Sequence, residues 1–295
     1  MSGEMNMVFL NGKLVPAEQA SVSVLDRGFI FGDGIYELVP VYSRVPFRLD
    51  EHLVRLERSL GETRIRNPYS RAQWRQAVYQ LIDAQPFEDQ GVYFQVTRGV
   101  AKRDHAFPKD AEPTVFMMSN PLVNPPREQV EKGAAAVSAV DNRWLRCDIK
   151  SISLLGNVLM RELSAQAGAA ETIMFRDGKL TEASASNVFV VKRGAILTPP
   201  KSHLILPGIT YDVVVELAQA NGLPLEFREV QEKEVRAADE LWLTSSSKEV
   251  LAVVSLDGAK VGDGRPGPVF ARMYPLYQEF KQKVMRAGKR EAVPV

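Results

Sequence analysis

The chain has 295 residues, a length that fits one large or two ordinary domains and allows most apolar surface to be buried. Its 37 basic and 36 acidic residues leave a formal net charge of +1, which argues against a nucleic-acid binder or an anionic membrane surface as partner. A single cysteine, Cys147, argues against an internal disulfide framework and a cysteine-based zinc site, and no metal site is expected. No apolar stretch comes near the roughly 18 residues of a membrane span, which favours a cytoplasmic protein.

The N-terminal half alternates strand and helix signals. An Asn11-Gly12 pair between apolar runs predicts a β-hairpin, and residues 37–49 predict a second pair of strands. The next helix is predicted from four leucines on one face: Leu49, Leu53, Leu56 and Leu60. Ser70 is a candidate cap for a further helix, and two β-rich runs follow. These elements predict an α+β domain over residues 1–120.

Closely spaced prolines predict an interdomain linker at residues 121–129. The remaining residues, 130–295, predict an α/β domain that carries a lysine segment between an extended run and an apolar helix. Further along, an Asp177-Gly178 turn, a helix starting near Gly208 and a C-terminal helix over residues 266–287 are expected.

Lys150 lies in the lysine segment, RWLRCDIKSISLLGNVLM (residues 143–160). In an extended run, Cys147 and Ile149 would point to one face and Lys150 to the other, at the end of a strand. Such a lysine can hold a carbonyl cofactor. Spacing alone favours an ordinary solvated lysine, because most lysines are exposed or extend along apolar surface.

Several segments decide between these interpretations, since together with residues 143–160 they resemble the D-amino acid aminotransferases in sequence and in order. They are DRGFIFGDGIYELVPVY (26–42), EHLVRL (51–56), VYFQVTRGV (92–100), RDHAFP (103–108), TEASASNVF (181–189), LPGIT (206–210) and LTSSS (243–247). The resemblance covers nearly the whole chain. It implies a two-domain, fold-type IV enzyme with mixed α+β and α/β architecture, an active site between the domains, and pyridoxal 5′-phosphate as cofactor.

The resemblance also assigns roles to residues. Lys150 matches the lysine that binds the cofactor as a Schiff base and then moves a proton between substrate and cofactor. Glu182 matches the carboxylate that keeps the pyridine nitrogen protonated, which makes the ring a better electron sink. The other cofactor-binding matches are Arg55, Ser186, Leu206, Ile209, Thr210, Ser245 and Ser246. Free amides at a helix N-terminus and a planar guanidinium both suit a phosphate.

Tyr36, Arg103 and His105 match the residues that bind the substrate carboxylate in the D-amino acid enzymes. The resemblance therefore implies ping-pong transfer between a D-amino acid, such as D-alanine, D-glutamate or D-aspartate, and pyruvate or 2-oxoglutarate. It also implies a homodimer. One departure is the presence of Ala183 and Ala185, which predicts modest tuning of cofactor affinity.

Other interpretations stay open from sequence. Within the same fold, the chain could be a branched-chain aminotransferase, an R-selective amine transaminase or an aminodeoxychorismate lyase, although the RDHAFP segment opposes the first and last. A protein that binds the cofactor without turnover is a further alternative. His52 and His203 are assigned no role, because single histidines are more often structural.

Overall fold

A computed structural model describes residues 7–290, so the outer ends of the two predicted domains, residues 1–6 and 291–295, lie outside the described residues. Contacts divide the described chain into two compact units. Unit 1 comprises residues 7–123, 149–154 and 284–290, and unit 2 comprises residues 124–148 and 155–283.

Unit 1 is built on one antiparallel sheet. Its strands are β1 (Met7–Leu10), β2 (Lys13–Pro16), β3 (Gly34–Tyr42), β4 (Val45–Pro46), β5 (Gln90–Thr97) and β6 (Thr114–Pro121). Their order in the sheet is β2-β1-β6-β5-β3-β4. The helices are α1 (Arg27–Phe31), α2 (Leu49–Thr63) and α3 (Arg71–Asp83), with a 3-10 turn at Ala17–Gln19.

Local sequence signals explain most of unit 1. Asn11 and Gly12 have φ of 48° and 91°, the left-handed conformations that a tight hairpin turn requires. The four leucines of α2 are all buried, so the predicted apolar face is confirmed. Ser70 accepts from the Gln73 amide, and the Gln73 side chain accepts from the Ser70 amide, which confirms the predicted cap of α3.

Unit 2 is built on a mixed sheet. Its strands are β7 (Ala134–Val140), β8 (Glu171–Arg176), β9 (Lys179–Ala183), β10 (Asn187–Lys192), β11 (Ala195–Thr198), β12 (Leu225–Phe227), β13 (Glu240–Ser245), β14 (Glu249–Leu256) and β15 (Ala259–Lys260). Their order is β12-β11-β10-β13-β14-β7-β8-β9, with β15 beside β14. The helices are α4 (Arg127–Lys132), α5 (Leu155–Gln166), α6 (Ile209–Ala220), α7 (Glu232–Arg236) and α8 (Pro268–Phe280), and a π-helical turn follows at Lys281–Met285.

The register of unit 2 brings two turns to the same edge of the sheet. Asn187, the first residue of β10, pairs with Thr244 near the end of β13. The turn at 184–186 leads into β10 and the turn at 246–248 leads out of β13, so both lie where these two strands meet. The Asp177-Gly178 turn before β9 is as predicted, with φ of 51° and 72°.

The prediction of a strand running up to Lys150 is wrong. Residues 143–150 form bends and turns, with Cys147 and Asp148 in a turn. Hydrogen bonds of this segment go to side chains and loops, since the Arg143 amide donates to the Asp141 carboxylate and the Cys147 amide to the His203 carbonyl. Residues 143–148 pair with no strand within residues 7–290, and pairing with β3 begins only at Lys150.

Residues 149–154 belong to unit 1 by their contacts, whereas the sequence placed Lys150 in the C-terminal domain. The physical reason is pairing with β3. The Tyr36 amide donates to the Lys150 carbonyl over 2.9 Å, and the Ile152 amide donates to the Gly34 carbonyl over 3.0 Å. No helix within residues 7–290 has both the length and the apolar character needed to cross a membrane.

Candidate active site

Lys150 and Tyr36, two predicted site residues, lie together in unit 1. Besides its bond to Tyr36, the Lys150 backbone donates its amide to the Ser59 hydroxyl over 3.4 Å. The Lys150 Nζ lies 4.1 Å from the centroid of the Tyr36 ring, within the range of a cation–π contact. The backbone of Lys150 is therefore fixed against β3, while its amine faces an aromatic surface.

Tyr36 is itself held by a second aromatic ring. It stacks on Tyr93 with ring centroids 5.5 Å apart and an interplanar angle of 29°. The Tyr93 hydroxyl donates to Gln95 over 2.7 Å. Burial, with a smaller contribution from Tyr36, raises the pKa of Tyr93 to about 12, so this phenol stays neutral at physiological pH. The pair of rings gives Tyr36 a fixed orientation on the sheet.

Arg55, the predicted phosphate ligand, is oriented by a fully buried carboxylate. Its Nε and Nη2 donate to the two oxygens of Glu37, each over 2.7 Å. Burial raises the pKa of Glu37, but the charge and hydrogen bonds of Arg55, together with the bond from His52, outweigh it and hold that pKa well below its usual range. A two-point pair of this kind fixes the plane of the guanidinium.

His52 completes this network, although the sequence assigned it no role. Its Nδ1 lies 2.8 Å from Glu37. Burial lowers the pKa of His52, and Glu37 only partly restores it, so the ring is neutral and donates from Nδ1. Its Nε2 is buried and finds no hydrogen-bond partner among the described residues. The available signal was local, because His52 and Arg55 lie three residues apart on one face of α2.

Arg103 and His105 lie on an exposed loop beside Phe31. The Arg103 guanidinium lies 5.3 Å from the centroid of the Phe31 ring, and the His105 ring lies 5.5 Å from it. The loop backbone is held by a buried arginine, since Arg27 donates to the carbonyl of Asp104. Arg27 also donates to the carbonyl of Ala106 over 3.4 Å. Its guanidinium therefore binds the backbone carbonyls of the residues before and after His105.

Asp33 holds the Arg27 guanidinium in place through a hydrogen bond. Sequence reasoning missed both residues. The Asp33 carboxylate accepts from Arg27 over 2.7 Å and from Arg98 over 2.8 Å. Burial raises the pKa of Asp33, but hydrogen bonds from Arg98 and Arg27 outweigh it and keep that pKa below its usual value. The signal was the DRGFIFGD segment, which contains both residues.

Glu182, on β9 of unit 2, is a buried carboxylate with a donor at each oxygen. Arg143 donates to one oxygen over 2.8 Å. The Leu206 amide donates to the other over 3.0 Å, and the Asn187 side chain reaches the same oxygen at 3.3 Å. Burial raises the pKa of Glu182 to about 7, an effect that Arg143 and the Leu206 amide reduce. The protonated pyridine nitrogen of a bound cofactor would be a cation, and it would favour the ionised form of Glu182.

Arg143 is the main charge partner of Glu182 and was also missed by sequence reasoning. Asp141 accepts from its Nε and Nη2, each over 2.9 Å, which leaves Nη1 directed at Glu182. Burial lowers the pKa of Arg143, but Asp141 and Glu182 outweigh it and raise that pKa above its usual value. Nearby, burial raises the pKa of Cys147 to about 11, so this thiol stays protonated, as expected for a small buried side chain.

Leu206, Ile209 and Thr210 lie together at the start of α6. Gly208 is the N-cap, and no side chain among the described residues caps this helix, so its first amides point outward as they would for an anion. A Cβ at Gly208 would lie 2.3 Å from the Asn187 side-chain oxygen, so glycine is required there. Asn187 also donates to the Leu206 carbonyl over 2.9 Å, and it thereby joins this helix start to Glu182.

The predicted serine ligands have clear partners. Ser186 donates its hydroxyl to Glu171 over 2.9 Å, and Ser184 donates to the same carboxylate. Each hydroxyl hydrogen is therefore engaged by Glu171. The Ser245 hydroxyl accepts from the Lys248 amide over 3.1 Å, and Ser246 is half-buried in the same turn.

Comparisons with known proteins identify the family and the fold. A family model described as amino-transferase class IV matches residues 34–256. A D-alanine aminotransferase of Bacillus licheniformis is 42% identical over 262 residues, covering 89% of this chain and 92% of that protein. The fold is also that of solved branched-chain amino acid aminotransferases. The Escherichia coli enzyme matches with a TM-score of 0.85 and 26% identity, covering 92% of each chain.

The corresponding T.th. enzyme, solved with pyridoxamine 5′-phosphate, matches with a TM-score of 0.87 and 24% identity over 93% of each chain. These matches confirm the two-domain fold-type IV architecture. Together with the match over residues 34–256, they establish that this chain belongs to the class IV amino-transferase family and is an aminotransferase.

Proposed function

We propose that the protein transfers the amino group of a D-amino acid to a 2-oxo acid with pyridoxal 5′-phosphate as cofactor. The observation that carries the proposal is the 42% identity with a D-alanine aminotransferase, against 26% for a branched-chain enzyme of the same fold. D-alanine, D-glutamate and D-aspartate are the proposed donors, and pyruvate and 2-oxoglutarate the proposed acceptors. A shared fold does not set the substrate, so the sequence relationship has the greater weight.

The residues present fit this cofactor. Glu182 is buried beside one arginine, and its pKa of about 7 leaves it able to take on either charge state as a cation arrives. The start of α6 offers amides suited to a phosphate. Arg55 is held in one plane by Glu37 and is proposed to bind the same phosphate, with Ser186, Ser245 and Ser246 as further contributors.

When bound, pyridoxal 5′-phosphate supplies a carbonyl that takes up the substrate nitrogen and a ring that accepts the electron pair of the α-carbon. Lys150 is the proposed covalent attachment point and the group that carries the proton at its Nζ. Its fixed backbone and the Tyr36 ring limit the positions that this amine can reach. Glu182 is proposed to keep the ring nitrogen protonated.

Tyr36, Arg103 and His105 are proposed to bind the substrate carboxylate. Arginine suits this role because its planar guanidinium matches a carboxylate with two parallel hydrogen bonds. Arg27 holds the loop backbone on both sides of His105, which restricts where the two loop side chains can lie. The face on which the carboxylate is held decides which enantiomer presents its α-hydrogen to Lys150.

A half-reaction tests the proposal. The cofactor-loaded protein is mixed with D-alanine, L-alanine, L-leucine or an R-arylalkylamine, without an acceptor, and the cofactor absorbance is followed. We expect conversion to the pyridoxamine form with D-alanine but not with either L-amino acid, and no such conversion with D-alanine for Lys150→Ala. A response to L-leucine alone would indicate a branched-chain enzyme, and a response to the amine alone an amine transaminase. Bound cofactor without any response would support the non-catalytic alternative.

We also propose a homodimer that works in the cytoplasm. Helix α5 presents an apolar face to solvent, with Leu155 71% exposed, Val158 58% and Leu159 55%. These positions share one side of the helix, and exposed apolar patches of this kind mark interaction surfaces. Light scattering should give twice the chain mass, and Val158→Glu with Leu159→Glu should give monomers. Arg161→Glu, which helical periodicity places off this face, should stay dimeric. A monomeric wild type would refute the dimer.

A further inference from the structure

A buried carboxylate in unit 2 accepts hydrogen bonds from the turn that follows β9, the strand of Glu182. Glu171, at the start of β8, is fully buried. It accepts from the hydroxyls of Ser184 and Ser186 and from the Ala185 amide at 3.2 Å. Three consecutive residues of one turn therefore donate to a single side chain. The turn lies between β9, which carries Glu182, and β10, which begins at Asn187.

Lys248 joins this carboxylate to a second turn. Its Nζ lies 3.1 Å from Glu171, and its backbone amide donates to the Ser245 hydroxyl. The Lys248 side chain is 20% exposed, so the ion pair is mostly screened from water. Lys248 also lines a cavity of about 290 Å³ in unit 2. One ion pair therefore connects the turn at 184–186 with the turn at 246–248.

We propose that Glu171 and Lys248 are positioning residues that hold these two turns in register for cofactor binding. This inference rests on the proposed function, which assigns Ser186, Ser245 and Ser246 to the cofactor. The two turns meet where Asn187 pairs with Thr244, so a shift of either would move groups at one edge of the sheet. The hydroxyl hydrogens of Ser184 and Ser186 are engaged by Glu171, so the turn contributes through a fixed backbone and not through freely rotating donors.

A purely structural role is the competing explanation, and Glu240 offers a matched control. Glu240 is also a buried carboxylate of unit 2 with several donors, since it accepts from the amides of Val269 and Phe270, each over 2.8 Å. It lies at the start of β13, whereas Ser245 lies at the end of that strand. Removing its charge should lower stability without reaching the two turns.

Binding of pyridoxamine 5′-phosphate separates the two roles. This probe has no aldehyde, so its affinity reports non-covalent contacts and does not depend on Lys150 chemistry. Calorimetry would be run on the cofactor-free wild type, Glu171→Gln, Lys248→Met, Lys248→Arg and Glu240→Gln, with a urea midpoint measured for each. If Glu171→Gln does not fold, Lys248→Met still tests the role of the ion pair.

We expect Glu171→Gln and Lys248→Met to weaken binding by about 10- to 100-fold, as losses of buried charged hydrogen bonds and of supporting contacts commonly do. Lys248→Arg should restore most of the affinity, because it keeps the charge. A double variant that combines Glu171→Gln with Lys248→Met, measured in the same way, should bind no more weakly than Glu171→Gln alone, since the two side chains act as one unit.

Glu240→Gln should lower the urea midpoint and leave affinity within about twofold, the change expected for independent sites. Wild-type affinity in both Glu171→Gln and Lys248→Met would overturn the inference while leaving the proposed function intact. Equal losses in all variants, Glu240→Gln included, would also overturn it by showing a general effect of stability. A wild-type protein that does not bind the probe would overturn the proposed function and, with it, this inference.

Discussion

Replacing Arg143 with methionine removes the cation that lies against Glu182 and keeps a side chain of similar shape. Arg143 makes three charged side-chain hydrogen bonds, two to Asp141 and one to Glu182. Asp141 retains a second cation, because Arg176 lies 3.0 Å from it. Glu182 keeps only the Leu206 amide and the Asn187 side chain, neither of which carries charge.

The cost is set by the carboxylate that is left behind. Removing one partner of a buried ion pair costs about 3–5 kcal/mol, because the remaining charge is uncompensated. Glu182 can limit that cost by taking up a proton. Burial already raises its pKa to about 7 in the presence of Arg143, and loss of the arginine raises it further. The full cost should therefore appear only at alkaline pH.

The pH dependence follows from this shift. In the cofactor-free protein, the folded-state pKa of Glu182 is above its unfolded value of 4.5, so its contribution is fully present below pH 4.5 and is lost as pH rises through about 7. In Arg143→Met the pKa of Glu182 is higher, so the stability that its raised pKa contributes continues to fall at higher pH. The stability difference between the two proteins should then grow between pH 7 and 9 by up to about 1.4 kcal/mol per pH unit.

Urea unfolding of cofactor-free wild type and Arg143→Met, at pH values from 5 to 9, measures this difference. Asp141 and Cys147, two titratable neighbours of Arg143, do not produce such a difference. Burial raises the pKa of Asp141, but Arg143 and Thr181 outweigh it and hold that pKa below its usual value, while burial raises the pKa of Cys147 to about 11. A stability difference that is the same at pH 5 and pH 9 would refute the assignment of Arg143 as the charge partner of Glu182.

Three further predictions concern the other networks. Arg27→Met should raise the KM for the amino acid several-fold and leave pyridoxamine 5′-phosphate affinity unchanged, because it removes the donor to the Asp104 carbonyl of the loop, while Asp33 keeps its pair with Arg98. An unchanged KM would contradict this. Gly208→Ala should weaken binding of pyridoxamine 5′-phosphate about tenfold, since the new Cβ would lie 2.3 Å from the Asn187 side-chain oxygen. A wild-type affinity measured by calorimetry would show this expectation to be wrong. Glu37→Gln should lower the free energy of unfolding by about 3–5 kcal/mol through its pair with Arg55, and a urea curve matching wild type would refute that.

Sequence patterns predicted the elements whose causes are local. The turn at Asn11-Gly12, the buried leucine face of α2 and the Ser70 cap each depend on residues a few positions apart. The predicted C-terminal helix over 266–287 was correct in kind, but α8 ends at Phe280 and a π-helical turn continues to Met285. Helix ends are set by single hydrogen bonds, so periodicity fixes them less well.

The segment before Lys150 shows why other features were missed. Its alternating residues resemble a strand, yet its hydrogen bonds go to Asp141 and to the His203 carbonyl, 56 positions beyond Cys147. Whether a short run becomes a strand depends on a neighbour with unpaired backbone groups, and no local pattern reports that neighbour. The pairing of Lys150 with Tyr36 is equally remote in sequence.

The charged networks have the same origin. Family resemblance identified the residues expected to contact substrate and cofactor, among them Arg55, Lys150 and Glu182. It did not identify the residues that hold them, because Glu37 lies 18 positions from Arg55, Arg143 lies 39 from Glu182, and Glu171 lies 77 from Lys248. A buried carboxylate needs a compensating cation or hydrogen-bond donors, and the fold determines which of these groups lies next to it.

Three of the buried carboxylates, Glu37, Glu182 and Glu171, are compensated in different ways, and this difference has a chemical consequence. Glu37 has an arginine on both oxygens, which keeps its pKa low and its charge permanent. Glu182 has one arginine contact and otherwise neutral donors, so its pKa stays near 7 and its charge responds to an arriving cation. Glu171 has two hydroxyls, an amide and a lysine, a set that fixes geometry. Permanent charge suits the orientation of Arg55, whereas a responsive carboxylate suits a ring nitrogen whose protonation must be maintained.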